Sequence, residues 1–208
     1  VNFNRKIGLT ALFGLGWVAT AVFGGHALLK YENAPGKVGQ LPSSWPANST
    51  LQLAKDQPTL VMIAHPQCPC TRASMGELAQ VMARAQGKVR AYVLFYIPKV
   101  AGHDWENTDL RRSAAQIPGV TVLSDIDGAE AQRFGAETSG HTFLFDPSGH
   151  LLFNGGITAS RGHAGDNAGE SSLLSLIDNH AGKLTQTLVF GCSLKNRGEQ
   201  PKAVPCLR

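Results

Sequence analysis

Cys68 and Cys70 flank a single proline in "VMIAHPQCPCTRASMGELAQVM", residues 61–82. An apolar run precedes the pair, and Met75, Leu78, Ala79 and Met82 follow it at helical spacing, so the cysteines stand where a strand turns into a helix. The first turn of a helix offers unpaired N–H groups and the positive end of the dipole. Both favour a thiolate, and the thiolate is the nucleophile. Cys68, nearer the loop, is expected to attack a substrate disulfide, and Cys70 to resolve the mixed disulfide. His65, three residues before Cys68, is placed to stabilise that thiolate when charged. A disulfide across one residue closes a tight ring, and Pro69 fixes one of its dihedrals. A Cys68–Cys70 bond is therefore expected to be strained and easily reduced.

The elements that must position this pair follow from changes of period. Leu60–Ala64 reads as a buried strand, Thr71–Gln86 as a helix, and the β-branched and aromatic Val89–Ile97 as a central strand. Thr108–Ala115 is a helix that Pro118-Gly119 separates from a strand at Val120–Leu123. Ala129–Phe134 is a short helix. "HTFLFDPSGHLLF" is two strands around the turn Asp146-Pro147-Ser148-Gly149, and Ser171–His180 is a last helix. This order predicts an α/β domain: a mixed central sheet flanked by helices on both faces.

Hydrophobic residues make up 43% of the 208 and charged residues 16%, enough apolar material for a packed core. The net charge is +4, but no run of Lys and Arg interleaves with aromatics, so nucleic acid is not an expected partner. Arg5 and Lys6 precede an uncharged run, Ile7–Leu29, that would span about 34 Å as a helix. The flanking charges predict the N-terminus inside and the remainder outside. A cleaved signal peptide would have a shorter apolar core, so the run reads as a transmembrane anchor. Either way the cysteines are delivered to a compartment where disulfides persist. The expected organisation is a cytoplasmic N-terminus at 1–6, an anchor at 7–29, a linker at 30–50, the redox domain at 51–190 and a cysteine-containing tail at 191–208. The Pro-, Gly- and Ser-rich linker reads as a tether, with Trp45 either docked on the domain or near the membrane surface.

The strand–Cys pair–helix order resembles the thioredoxin-like fold, over roughly Lys55–His180. "VLSDIDGAEAQRFGAETSGHTFLFDPSGHLLFNGG" is similar to the second half of membrane-tethered thiol–disulfide oxidoreductases and their peroxiredoxin relatives. "HPQCPC" and "GGITASRGHAGDNAG" resemble a bacterial group called RedB-like. The resemblance implies thiol–disulfide exchange on protein disulfides or thiols at an extracytoplasmic, periplasmic membrane face, with no cofactor required. Two positions depart from the family. One residue, not two, separates the cysteines, and His141 stands before Thr142 where the family has a cis-proline beside the thiols. Aligning Cys68 with the family's first cysteine puts Thr71 at the second; aligning Cys70 with the second puts Gln67 at the first.

The same fold implies that His141 lies against the cysteines. Cys68, Cys70 and His141 then form two thiolates and an imidazole, a soft set that selects Cu(I) or Zn. "GHT" at 140–142 is similar to the "DHT" of Sco-type copper proteins, so a copper-binding or copper-delivery module is the first alternative. A redox sensor or adaptor acting through the loop around His163 is the second. A peroxidase is disfavoured, because neither cysteine has the Thr or Ser and the Pro that peroxiredoxins place before it. The Gly-rich Gly156–Glu170 loop, with Arg161, His163 and Asp166, has no nucleotide-binding spacing. Asp125 and Asp127 read as turn and helix-cap residues. Cys192 either pairs with Cys206, clipping the tail, or reaches the active site as a further resolving thiol; spacing does not choose.

Overall fold

In the computed structural model of the chain, residues 3–99, 105–178 and 184–195 are described. They form two compact units, Val1–Ala34 and Pro35–Arg208.

The first unit is a helix, α1 (Phe3–Glu32). Its Ile7–Glu32 portion has a mean hydropathy of 1.7 and none of its apolar stretch is buried, and it is long and apolar enough to cross a membrane.

The second unit is built on β1 (Thr59–Ala64), α2 (Thr71–Ala85), β2 (Arg90–Ile97), α3 (Asp109–Ala115), β3 (Val120–Ile126), α4 (Ala129–Phe134), β4 (His141–Phe145), β5 (Leu151–Gly155) and α5 (Ala168–Ile177). The strands lie in the order β3-β2-β1-β4-β5. β1, β2 and β3 are parallel, whereas β4 and β5 are antiparallel to their neighbours. β1 is central and wholly buried, so its sequence "TLVMIA" is apolar on both faces. The pleat divides it: Leu60, Met62 and Ala64 face one core with α2, α3 and α5, and Val61 and Ile63 face the other with α4. Phe95 and Phe153 fill the first core; Phe134, Phe143 and Phe145 fill the second, all with no exposed surface. Each such ring contributes about 1.5–3 kcal/mol relative to exposure.

The third strand runs to Ile126, beyond the expected Leu123, because polar Ser124 and Asp125 continue the ladder opposite Phe95 and Tyr96. The last helix starts at Ala168, three residues before the expected start, because the Asn167 side chain caps it by accepting the Glu170 N–H at 2.9 Å. Asp125 caps the start of α4, accepting the N–H groups of Glu130 and Ala131 at 2.8 and 2.9 Å.

Residues 35–50 are a strap on the domain and not a free tether. Val38 bridges Ala136 and Ser44 bridges His150. Trp45 packs edge-on against Phe134 and Phe145, with ring centroids 5.4 and 5.2 Å away. The Glu130 carboxylate accepts bonds from the Ser49 hydroxyl and from the backbone and hydroxyl of Thr50. Proline and glycine in this stretch mark bends between anchoring points rather than flexibility.

Candidate functional site: three thiols at the start of a helix

β1 ends at Ala64, and the chain turns through His65-Pro66-Gln67 into α2. Successive tight turns carry it in: the N–H groups of Cys68, Thr71, Arg72 and Ala73 bond to the carbonyls of His65, Cys68, Pro69 and Cys70 at 3.1–3.2 Å. Cys70 is the cap position and already has helical dihedrals, with no side-chain bond closing the helix end. Cys70 at the cap and Cys68 two residues before it therefore stand at the helix start, where unpaired N–H groups gather. Cys68 is 3% exposed and Cys70 8%.

A third thiol joins them. Cys68, Cys70 and Cys192 have their sulfurs all within 4.8 Å of one another. The Cys68 and Cys192 sulfurs are 2.8 Å apart, and the Cys192 backbone N–H donates to the Cys68 sulfur at 3.4 Å. All three are free cysteines. Cys206, and with it the expected Cys192–Cys206 pairing, lies outside the described residues.

Backbone pairing holds Cys192 beside Cys68, from which it is 124 residues away in sequence. Residues 185–188 run beside β5: Asn154 N–H donates to Thr185 O, Thr187 N–H to Asn154 O, and Gly156 N–H to Leu188 O. The chain then crosses to the stretch before β4, where Ser139 N–H donates to Cys192 O at 2.8 Å and Leu194 N–H to Glu137 O at 2.9 Å. Gly191 lies so close to Ser139 that a Cβ would overlap its carbonyl oxygen, so only glycine fits. Arg161 donates to the Gly191 carbonyl, tying the Gly-rich loop to the same segment.

Ser139 links three segments of the chain. Its hydroxyl accepts the His65 N–H at 2.7 Å and bonds the Thr71 hydroxyl at 2.6 Å, so the loop before the thiols, the helix after them and the segment holding Cys192 share one buried polar centre.

The electrostatics single out Cys68. The Cys192 thiol, then Cys70, Thr71 and the Cys192 N–H, direct hydrogen bonds at its sulfur and hold its ionisation far below the ordinary thiol range, against the opposing effect of burial. Cys192 is pushed strongly up, because its thiol is the donor to Cys68 and then to Cys70. For Cys70 the bond from Cys192 favours the thiolate. Its own bond to Cys68, burial and the Cys68 charge together outweigh that, and it too is raised. The cluster is one thiolate facing two thiols.

His65 stands beside this site. Burial lowers its ionisation and the Cys68 charge partly restores it. Its Nδ1 accepts the Gln67 N–H at 3.2 Å, and its ring packs against Trp105 and Tyr96, with centroids 5.2 and 6.1 Å away.

His141 is not part of the thiol group, so the expected trio of Cys68, Cys70 and His141 is replaced by Cys68, Cys70 and Cys192. The reason is the pleat. His141 pairs with Ile63 and shares its face with Phe143, the core opposite the one that α2 covers. Its ring stacks on Phe143 at 4.2 Å, is 0% exposed, and neither nitrogen has a hydrogen-bond partner. Burial alone lowers its ionisation to about 3, so it is a neutral imidazole. His163 is exposed and bonds locally, its Nδ1 lying 2.8 Å from the Ser160 hydroxyl.

Cys192 was legible only as one of two options. The signal that could have favoured it is "FGCS" itself, an apolar residue and a close-approach glycine before a cysteine, after a long span from the pair.

A cleft of about 670 Å³ adjoins the Gly191–Lys195 segment, lined by Lys37, Tyr96, Glu137, Arg161 and Lys195 among others.

The sheet order, with parallel β1 and β2, antiparallel β4 and β5, and a cysteine pair at the first β–α junction, is that of a thioredoxin-like fold. The class is thus a thioredoxin-fold protein with a three-thiol site. No family model and no curated protein matches the chain. Among solved structures, a hypothetical protein from Sinorhizobium meliloti 1021 is 18% identical with a TM-score of 0.56, covering 81% of this chain and 100% of its own. An uncharacterized conserved protein from Geobacillus kaustophilus is 16% identical with a TM-score of 0.56, covering 82% of this chain and 94% of its own. A secreted Mycobacterium tuberculosis disulfide oxidoreductase superposes less closely, at 16% identity and a TM-score of 0.42 over 60% of this chain and 83% of its own. At these identities the likeness is one of fold.

Proposed function

We propose that this protein is a membrane-anchored, extracytoplasmic thiol–disulfide exchange protein in which Cys68 is the attacking thiolate. The observation that carries the reading is the Cys68 sulfur at a helix start, 2.8 Å from a second thiol and within 4.8 Å of a third. The Cys68 thiolate attacks one sulfur of a substrate disulfide; an S–S bond forms between them and the other substrate sulfur leaves as a thiolate. A resolving thiol, having given its proton to solvent, then attacks the Cys68 sulfur and expels the second substrate sulfur. The substrate has gained two electrons and the protein holds a disulfide. Run backwards, the same steps oxidise a dithiol.

Cys70 and Cys192 both stand within reach as resolving thiols. The shorter approach and the N–H bond to Cys68 favour Cys192. Cys70, in the same turn, serves as the third thiol through which the bond passes on. His65 tunes the Cys68 charge. His141 acts as a packing wall behind the loop rather than as a proton donor. The RedB-like resemblance belongs to this reading, since "HPQCPC" and the Arg161 loop are the two segments that flank the thiols. The substrates are protein disulfides or thiols. The apolar α1 supports anchorage, and the compartment outside the cytosol is the one where such a disulfide persists.

The test equilibrates the full-length chain, metal-free in detergent, with glutathione buffers, followed by alkylation and peptide mapping. A reversible disulfide that includes Cys68, and loss of about 100-fold or more in exchange rate with Cys68→Ala, are expected. Thiols that stay reduced across the whole range would end the exchange reading.

A further inference from the structure

We propose that the reduced protein binds one Cu(I) through the three thiolates of Cys68, Cys70 and Cys192. This goes beyond disulfide exchange and uses a different ligand set from a two-cysteine, one-histidine site.

Three sulfurs placed about 2.3 Å from a metal at the centre of a triangle are about 4 Å from one another. The three sulfurs here already lie within 4.8 Å of one another, and the 2.8 Å Cys68–Cys192 pair must open by about 1 Å. Two ligands come from the tight turns that lead into α2. The third is fixed independently, because Cys192 is clamped to Ser139 and its neighbour Leu194 to Glu137 by backbone bonds.

Ligand type and number together select the ion. Thiolates are soft and prefer Cu(I) or Zn over harder ions. Structural Zn takes four ligands in a tetrahedron. Among the described residues no fourth cysteine, histidine or carboxylate joins the group. A three-sulfur set suits the lower coordination number of Cu(I). Cys68 and Cys70 are buried while Cys192 is only partly buried, so the ion would enter from the Cys192 side into a site largely closed to water. Copper stays Cu(I) throughout, and each thiol that enters as thiolate releases its proton to solvent. A disulfide between any two of the cysteines removes two ligands, so only the reduced chain binds.

The experiment titrates Cu(I) anaerobically into the reduced full-length chain against a chromophoric Cu(I) chelator, and records copper X-ray absorption on the complex. One Cu per chain is expected, with about three sulfur scatterers near 2.3 Å and no imidazole nitrogen. Cys192→Ser should weaken binding at least tenfold and reduce the sulfur count to two, while His141→Leu leaves both unchanged. The proposal is overturned by absence of Cu(I) uptake, by a sulfur count of two in the wild-type chain, or by nitrogen scattering that His141→Leu removes. Should Cys192→Ser fail to fold, the wild-type spectrum decides alone. Zn held more tightly than Cu(I) would also overturn it. Exchange assayed on metal-free protein is independent of all these outcomes.

Discussion

Cys68 owes its thiolate character to hydrogen bonds from neighbouring side chains, one of them far away in sequence. The largest single cause is the Cys192 thiol, followed by Cys70. Cys192→Ala, which removes the donor, is therefore expected to raise the Cys68 ionisation toward the ordinary range. In the reduced wild type the thiolate absorbance near 240 nm should persist into acid. In the variant it should fade at a clearly higher pH; an unchanged midpoint would show that the helix end suffices. His141 gives a different pH dependence. Its folded ionisation is lowered to about 3 from 6.5, so between those values the unfolded chain binds a proton that the folded chain does not. Stability contributed by the neutral ring is thus lost as pH falls below about 6.5, and the loss levels off below about 3. From pH 7 to pH 5 this amounts to about 2 kcal/mol. His141→Leu should remove that part of the acid sensitivity, read from denaturant midpoints at the two pH values. Equal slopes in variant and wild type would mean that the ring is not buried neutral.

At the scale of elements, the site depends on a segment without regular secondary structure. Residues 184–195 reach the thiols because their backbone pairs with β5 and then with the stretch before β4. Gly191 is the point of closest approach. Gly191→Ala is expected to cost about 1–3 kcal/mol through overpacking and to slow formation of a Cys68–Cys192 disulfide at least tenfold. Gly76→Ala, on the open face of α2, is the control: a Cβ there meets nothing within 4 Å, so it should stabilise the chain by about 0.5–1 kcal/mol. If Gly191→Ala forms the disulfide at the wild-type rate, the clamp is not what presents Cys192.

For the whole molecule, the division at Ala34/Pro35 sets the expectation. The unit from Pro35 onward contains both hydrophobic cores and the strap with Trp45. A fragment beginning at Pro35 should fold in solution with a single cooperative transition, and should form the same disulfide as the full chain. The full chain should resist alkaline carbonate extraction from membranes because of α1, while the fragment should not associate with them. Carbonate-soluble full-length protein would overturn the anchor, and a fragment without a cooperative transition would show that the domain does not stand alone.

Periodicity and local chemistry determined a great deal about this protein. The alternation of apolar runs, the Asp-Pro-Ser-Gly turn and the Cys-Pro-Cys at a strand-to-helix junction are local signals, and each lies within a few residues of the feature it specifies. They account for the element order, the sheet class, the helix-start position of Cys68 and Cys70, and the apolar helix α1. Tertiary structure alone decided the third member of the site. Whether Cys192 or His141 joins the pair depends on a long-range backbone pairing in one case and on the parity of a strand in the other. A shift of one residue in the β1–β4 register would turn His141 from one core to the other. The same holds for the strap: its prolines and glycines read as a tether because the partners that order it, Ala136, His150 and Glu130, lie 80 or more residues further on. Local sequence encodes where a chain bends and which face is apolar; contacts between distant segments exist only once the sheet has assembled.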